Sequence, residues 1–397
     1  MKKVGINLFV MGSGERFCNI LDKDTGVPLY YPNVYLISEH RNEGKSISTI
    51  ELVAGSISIL YNFLAGRNID IIDRILSQSF LTVNEIDALR DFSGIRSKYI
   101  NVKKIKNHES RTIRTSTKYF RLTAIANYLE WLCQVLLTDL KVAHHNIDVF
   151  VMKVNKRRPQ IKNRNILSGN EKSLDKEQLE VLLQTIKVGS NLNPFNTGVQ
   201  KRNRLMIMML YSLGIRGGEL LNITIPDIDF QERCLSIRRR PDEKSDTRIR
   251  QPLVKTVERK VFMSEILSKE VHDYIINERR KLKKSRKHGY LFVTHKSGPT
   301  QGDAISINSY HRIIGELRKS SPKLSTLTGH KLRHSWNNNF SNLMDESDKV
   351  GEDEQEKIRS YSMGWKSGSG MANIYNERFI RDKANDAAII MQNGVLK

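Results

Sequence analysis

The chain has 397 residues, of which 39% are hydrophobic and 27% are charged, so it is long and apolar enough for two or three domains with buried cores. The sequence contains no run of about 18 apolar residues, so we expect no transmembrane helix. Glu15 and Arg16 interrupt the short apolar stretch near the N-terminus too early for a secretory signal. The net charge of +22 favours a polyanionic partner, nucleic acid before an anionic membrane, unless the basic surface serves solubility alone.

The first part of the chain predicts short strands followed by helices. Residues 1–45 have the composition of an N-terminal extended segment, with short strands and turns. The periodicity of apolar residues over 46–155 is that of a helical domain. One of its helices ends at Gly66, another begins with a capping box at Thr82, and residues 116–137 predict a long, largely buried helix.

Basic residues border several of these helices and fill the segment 156–172. That segment has few apolar residues, so it is either an extended linker lying on phosphates or a solvated linker between two domains. We place the domain boundary there. The residues predicted to contact a polyanion are Lys103, Lys104, Lys106, Arg111, Arg114, Lys156, Arg157, Arg158, Lys162 and Arg164.

The second half, residues 173–397, mixes helices and strands. A buried helix is predicted over 202–215, and an amphipathic helix begins at its cap, Ser264. Strands are predicted over 234–240, 254–263 and 290–294. The last hundred residues predict helices over 304–318, 328–344, 354–363, 370–376 and 379–392.

Cysteines and histidines give little support for a metal site. Three isolated cysteines without a CxxC pair predict no structural zinc and a reduced, cytosolic chain. In HKLRHSW, residues 330–336, His330 and His334 have the i, i+4 spacing of a zinc-binding pair. The residue after His330 is Lys331, whereas a zinc protease has the glutamate of HExxH there. The sequence therefore predicts no metal.

Two arginines suggest a phosphate site instead. His330 and Arg333 share a helix face, and Arg216 stands among glycines in GIRGGELLNI, where Glu219 can orient its guanidinium from the next turn. Two such arginines can hold one phosphate. A packed helix, with Arg333 paired to an acid, is the alternative. Similarly, Tyr375 would by default be a core residue whose hydroxyl finds a partner.

Taken in order, these motifs resemble the catalytic domain of the tyrosine recombinases, the phage integrase family. GIRGGELLNI resembles the first arginine box, and GHKLRHSW resembles the second, with the pattern His-x-x-Arg-His. MGW resembles the position that is more often LGH, with Trp365 as the permitted variant, and ANIYNE resembles the box of the nucleophile, Tyr375. The family's lysine lies in a β-hairpin between the arginine boxes, where Lys255 is the first candidate and Lys244 the second.

The resemblance implies a mainly α fold with a small antiparallel β-sheet, in which a helical core DNA-binding domain precedes a mixed α/β catalytic domain. It implies a metal-independent DNA strand transferase without a cofactor. Tyr375 would form a 3′-phosphotyrosine bond with the DNA. The residues that would assist this reaction are Arg216, Lys255, His330, Arg333 and Trp365. Glu219 and His334 would support these catalytic residues.

The resemblance also implies partners and a location. Four protomers would act together on double-stranded DNA of a mobile element or phage. They would do so in the bacterial cytoplasm or nucleoid and without contact with a membrane. Accessory proteins are further candidate partners. A resolvase or a topoisomerase using the same residues remains open, as does a catalytically inactive DNA-binding regulator of the same fold. An RNA- or membrane-binding protein has only the net charge in its favour.

Overall fold

The computed structural model describes residues 3–96, 112–137, 143–160, 173–345, 351–366 and 388–392. The chain divides into two compact units, Met1–Ser168 and Gly169–Lys397. The described residues are mostly helical, with one antiparallel sheet of two strands and another of three. The predicted fold class is thereby confirmed.

The first unit consists of a β-hairpin followed by helices that share its core. Its strands pair antiparallel from Val4 opposite Asp22 to Val10 opposite Arg16. Phe17, Cys18 and Ile20 from the second strand are buried in the same core as the helices. The elements are β1 (Val4–Val10), β2 (Arg16–Asp22), α1 (Tyr30–Leu36), α2 (Ile47–Ala65), α3 (Ile71–Leu76), α4 (Val83–Ser93), α5 (Thr115–Leu136) and α6 (Ala143–Asn155).

The helix α2 is the centre of this unit. Its Asn62 side chain donates to the carbonyl of Val4 at 3.0 Å and accepts from the Val4 amide at 3.2 Å, which fixes the helix to the hairpin edge. Within the described part of the chain, α2 alone is long and apolar enough to cross a membrane, but 61% of its apolar window is buried inside the protein. Such burial is typical of a core helix.

Helix ends in this unit follow the sequence signals. Gly66 is the C-cap of α2. The backbone N–H of Glu85 donates to the Thr82 hydroxyl at 3.3 Å, and the Thr82 N–H donates to the Glu85 carboxylate at 2.7 Å, so the capping box before α4 is formed. The predicted long helix is also present as α5, which buries eight of its residues. These local predictions are confirmed.

All three cysteines are free and buried. Burial, with a smaller contribution from nearby carboxylates, raises the pKa of the Cys18 and Cys133 thiols to about 12. Both therefore stay protonated at neutral pH and behave as small apolar side chains.

The second unit packs helices around a small sheet of strand order β3-β4-β5. The central helix α8 packs against α7, α9, α10 and α12. The elements are α7 (Lys176–Ile186), α8 (Thr197–Leu213), α9 (Gly217–Asn222), β3 (Ile228–Asp229), β4 (Cys234–Ile237), β5 (Arg259–Phe262), α10 (Glu265–Asp273), α11 (Ile307–Ser320), α12 (Gly329–Asp345) and α13 (Glu352–Met363). Residues 388–392 are helical, and 370–376 lie outside the described residues.

The strands are shorter than the sequence predicts. Only Arg259–Phe262 of the predicted strand 254–263 pairs with β4, and the predicted strand 290–294 forms only isolated bridges at Tyr290 and Val293. The first difference arises because the residues before Arg259 bond elsewhere: the Val257 amide donates to the Gly364 carbonyl at 3.0 Å, and the Thr256 hydroxyl donates to the Glu219 carboxylate at 2.7 Å. Earlier in the same loop, Arg248 donates to the Asp246 carboxylate and to the carbonyls of Leu221 and Ile305.

Candidate active site

Arg216 lies at the N-terminus of α9, directly after a sharp end to α8. Gly214 ends α8 with φ +63°, and a Cβ there would lie 2.8 Å from the Trp336 indole. This position therefore favours glycine for both its backbone conformation and its space. The side chain of Arg216 is 27% exposed, so its guanidinium remains accessible to a ligand.

Glu219 is the buried carboxylate at the centre of the site. It accepts hydrogen bonds from the Arg216 amide at 3.1 Å, the Thr256 hydroxyl at 2.7 Å and Nη2 of Arg259 at 2.9 Å. Burial favours its protonated form, but Arg259, with Arg333 and the Thr256 hydroxyl, lowers the pKa of Glu219 below its ordinary value. The group is therefore ionised, and its carboxylate lies 3.5 Å from Nη1 of Arg216.

Arg259 joins the loop before β5 to the end of α13. Its Nε donates to the Ser362 carbonyl at 2.8 Å, and its Nη1 donates to the Thr256 hydroxyl at 3.1 Å. The Val257 amide also donates to the Gly364 carbonyl, at 3.0 Å. Because the side chain is only 1% exposed, Arg259 connects Glu219, Thr256 and Ser362 inside the protein and does not face solvent.

The first candidate lysine stands on this same loop. Lys255 is exposed between the buried residues Val254 and Thr256, one position before the hydroxyl that binds Glu219. Lys244 is also exposed, but it lies in the stretch held by the Asp246–Arg248 pair. The contacts thus connect Lys255 more directly to the Glu219 cluster.

Arg333 bridges the ends of two helices. It is 1% exposed, and it donates from Nη1 to the Gly214 carbonyl and from Nη2 to the Met363 carbonyl, both at 2.7 Å. These carbonyls belong to the C-terminal ends of α8 and α13, where the helix dipole favours a cation. The sequence did not predict this bridging arrangement, because both acceptors are backbone atoms.

Trp365 follows α13 through a second left-handed glycine. Gly364 has φ +63°, and a Cβ on it would lie 2.6 Å from Nη1 of Arg259. The backbone then turns so that the Trp365 amide donates to the Ser360 carbonyl at 3.0 Å. Trp365 is 8% exposed. Its position thus depends on the same contacts that hold Arg259 and Arg333.

His330 and His334 lie edge to face on α12, with ring centroids 4.5 Å apart. Partial burial of its ring, together with the guanidinium groups of Arg333 and Arg216, lowers the pKa of His330 below its usual value. The neutral form therefore predominates at neutral pH, and this ring can accept a proton.

The cluster has an excess of positive charge. Three guanidinium groups, those of Arg216, Arg259 and Arg333, interact with the single carboxylate of Glu219, which leaves a net charge of +2 on these four described residues. An excess of charge near buried groups attracts an anion more strongly than the same charge in water. Among the described residues, no group of three His, Cys, Asp or Glu side chains could hold a metal ion.

Six predicted site residues thus lie on segments that these contacts connect: Arg216, Glu219, Lys255, His330, Arg333 and Trp365. Sequence reasoning missed Thr256 and Arg259. The signal that it passed over was a threonine directly after the candidate lysine and an arginine four positions beyond it. The predicted nucleophile, Tyr375, lies outside the described residues.

Four of the ten predicted polyanion contacts fall within the described residues. Arg114 and Lys156 are exposed. Arg157 instead forms an ion pair with Asp87 at 3.1 Å, and Arg158 lies over the Tyr119 ring at 5.1 Å. Both of the latter already have partners inside the first unit. Outside the described residues lie Lys103, Lys104, Lys106, Arg111, Lys162 and Arg164.

Known proteins resemble this chain in sequence and in structure. The tyrosine recombinase XerD of Halalkalibacterium halodurans is 27% identical over 218 residues, which cover 54% of this chain and 58% of XerD, so the chain spans less than two thirds of that relative. Transposase A from transposon Tn554 of Staphylococcus aureus is 26% identical over 323 residues, covering 79% of this chain and 80% of the transposase. The crystal structure of XerA recombinase aligns with 90% of this chain and 97% of its own, at 20% identity and a TM-score of 0.37.

The family comparison covers the motifs themselves. The sequence pattern of the phage integrase family matches residues 172–377, more than half of the chain. That range contains both arginine boxes, the candidate lysine, Trp365 and Tyr375 in the family's order. With its catalytic motifs in one matched range, the chain belongs to the phage integrase family.

Proposed function

We propose that this protein is a site-specific DNA recombinase that cuts and rejoins DNA through a 3′-phosphotyrosine intermediate. The observation that carries the proposal is one buried network with excess positive charge, which connects the segments that carry Arg216, Lys255, His330, Arg333 and Trp365. Such a site suits the phosphodiester of DNA, whose charge grows as the attacking oxygen approaches.

The chemistry follows from the residue types. The Tyr375 oxygen attacks the phosphorus and loses its proton, for which neutral His330 is the acceptor. Arg216 is the accessible guanidinium for the non-bridging oxygens, and Trp365 offers an indole N–H at the same place. Lys255 gives a proton to the departing 5′ oxygen. One phosphoester bond breaks and one forms, so a 5′ hydroxyl can reverse the step without ATP.

Arg333 contributes to the site without contacting the solvent-exposed surface, because it is buried. Its buried charge acts through a low-dielectric interior, and its two hydrogen bonds hold the loops that carry Arg216 and Trp365. We propose that it stabilises the developing charge electrostatically, while Glu219 fixes the orientation of Arg216. His334 supports the His330 ring through their edge-to-face contact.

The assembly and the setting are part of the proposal. Recombination exchanges strands between two double-stranded DNA sites, which suits a homotetramer, and accessory proteins are further candidate partners. The two named relatives are a bacterial recombinase and a bacterial transposase, so we place this protein on the DNA of a mobile element or phage in the bacterial cytoplasm or nucleoid. The first unit and its linker would supply a DNA-binding domain.

Trapping the covalent adduct tests the proposal. Wild-type protein is incubated with genomic DNA of the source cell, denatured in SDS and digested, after which the DNA ends are sequenced and the attached peptide is identified by mass. We expect adducts on the Tyr375 peptide and none with Tyr375→Phe. Tyr361→Phe is the matched control, because Tyr361 is an exposed tyrosine on α13 and its loss should leave the adduct intact.

Two outcomes would count against the mechanism. Cleavage by Tyr375→Phe would exclude Tyr375 as the nucleophile. DNA binding by wild-type protein without any adduct would favour the catalytically inactive regulator of the same fold.

A further inference from the structure

A dense group of cations lies in the second unit, on a segment that contributes none of the contacts of the Glu219 cluster described above. We call residues 279–287 the basic turn. It follows α10 and consists of two short 3-10 segments, Arg279–Lys281 and Lys283–Lys287. Its exposed cations are Arg280, Lys281, Lys283, Lys284, Arg286 and Lys287.

The basic turn is held in shape from the inside by Arg279, which is 5% exposed. Its Nε donates to the Tyr290 carbonyl at 2.8 Å, and its Nη2 donates to the carbonyls of Ser285 and His288, each at 2.7 Å. The fully buried Ser285 hydroxyl donates back to the Arg279 carbonyl at 2.8 Å. The shape of the turn is therefore fixed by internal contacts, with its charges on the outside.

Most of these charges lack a nearby acid. Lys284 lies 3.5 Å from the Asp303 carboxylate. Across the described parts of the chain, the other five exposed cations of the turn have no carboxylate within ion-pair distance. Like charges this close repel one another, and solubility alone does not require five of them on one ordered turn. An external anion would relieve the repulsion.

The surface extends beyond the turn itself. His288 contacts the Gly302 carbonyl at 2.9 Å, and Lys284 also donates to the Pro299 carbonyl, so the turn packs against the loop 294–303. That loop carries another exposed cation, Lys296. The extended residue Leu282 separates the two 3-10 segments, and Ser285 returns to contact Arg279, so the turn is a compact bend that gathers its cations into one cluster.

We infer that the basic turn is a DNA-backbone contact of the second unit. The inference rests on the proposed function, because a recombinase offers this unit a DNA duplex as its polyanion. Its ligand is the row of phosphate groups, held by point charges without base recognition. The turn adds affinity and salt dependence to DNA binding and leaves the chemistry of phosphate cleavage to the site around Glu219.

The salt dependence of DNA binding tests this contact. The full chain is titrated with a fluorescent duplex of random sequence at several salt concentrations, and log Kd is plotted against log salt. The triple variant Lys281→Gln, Lys283→Gln, Lys287→Gln should lower the slope by about 2 to 3, near 0.9 for each lost phosphate contact. Raising the salt fourfold would then weaken wild-type binding about fortyfold more than it weakens variant binding.

Two control variants isolate the cause. Lys269→Gln, Lys319→Gln, Lys323→Gln removes the same charge from lysines that already pair with Glu265, Glu316 and Glu177, and it should change the slope by less than about 1. Replacing the three turn lysines by arginine keeps the charge and should keep the slope.

The outcomes distinguish this inference from the proposed function. Equal slopes for the turn variant and the charge-matched control would overturn the DNA contact, even if wild-type protein still forms the Tyr375 adduct. A missing adduct with a slope that depends on the turn would overturn the recombinase mechanism and keep the contact. Loss of binding to phosphatidylserine vesicles, with the DNA slope unchanged, would reassign the turn to a membrane.

Discussion

The buried pair of Arg259 and Glu219 offers the sharpest test of the site's construction. Arg259→Met keeps an unbranched side chain of similar length but removes every donor. Glu219 then retains the Thr256 hydroxyl, the Arg216 amide and the Arg216 guanidinium at 3.5 Å. The Ser362 carbonyl loses the Arg259 donor. Because both side chains are at most 1% exposed, water cannot replace the lost guanidinium without entering the core.

The expected loss of stability is large for a single substitution. Removing one partner from a buried ion pair costs about 3–5 kcal/mol, and the Arg216 guanidinium that remains 3.5 Å from Glu219 places Arg259→Met at the lower end of that range. Replacing both partners, as in Glu219→Gln with Arg259→Met, also removes the carboxylate that lost its main partner and should recover part of the loss. The half-exposed pair of Arg204 and Glu270 provides the control, because breaking it with Arg204→Met should cost no more than about 1 kcal/mol.

The effect should depend on pH in a defined direction. In the wild type, Arg259 and its neighbours keep the pKa of Glu219 below 4.5, so their stabilisation is present above that pH and is lost as the pH falls. In Arg259→Met the main group that lowers the pKa of Glu219 is absent, so burial should raise this pKa. The variant's deficit in unfolding free energy should therefore be greater at pH 7 than at pH 4.5.

Urea denaturation at both pH values measures these quantities. Trp336 and Trp365 both lie in the second unit and report its unfolding, and Trp131 reports the first unit. DNA cleavage is measured on the same preparations, since displaced contacts at Ser362 should disturb Trp365. A double variant as unstable as the sum of both single variants would refute the coupling, as would an equal deficit at the two pH values.

Three further predictions concern other parts of the structure. In histidine NMR spectra of the free protein, the pKa of His330 should lie below the usual histidine value, because partial burial and neighbouring guanidinium groups favour its neutral form. Arg216→Gln should raise the pKa of His330, and an unchanged pKa would contradict the influence of Arg216 on this ring. Gly364→Ala should destabilise by at least about 1 kcal/mol in thermal unfolding, since its φ is +63° and its Cβ would meet neighbouring atoms, whereas Gly315→Ala in the open interior of α11 should stabilise by roughly 0.5–1 kcal/mol. Thr82→Ala should cost the first unit about 1 kcal/mol in urea denaturation, because α4 loses its N-cap, and an unchanged midpoint would argue against that capping contribution.

Local chemistry explains which parts of the fold were predictable. The capping box at Thr82, the cap at Ser264 and the end of α2 at Gly66 depend on residues within a few positions of one another, so the sequence displays them directly. The strand over 254–263 looked equally local. It is shorter because Thr256 and Val257 bond to Glu219 and Gly364, which are distant in the chain, and no periodicity near the strand carries that information.

The site shows the same division between local and distant information. The pairing of Arg216 with Glu219 is an i, i+3 relation, and it could be predicted. The contact of Arg259 with Glu219 crosses forty positions, and the contact with Ser362 crosses more than a hundred. Nothing in the composition around Arg259 distinguishes it from the exposed Lys260 beside it, so only the folded chain separates a network residue from a surface cation.

Arg333 shows why residue type and order are insufficient to assign a role. Both arginines of the family's boxes are cations, but Arg216 is 27% exposed at its side chain, and Arg333 is buried between two helix ends. An exposed guanidinium can bind a phosphate directly, whereas a buried one that holds two carbonyls acts through its field and through the loops that it fixes. The motif identifies two charges in the right order; from their different contacts we propose that Arg216 meets the substrate and that Arg333 holds the loop that carries Arg216.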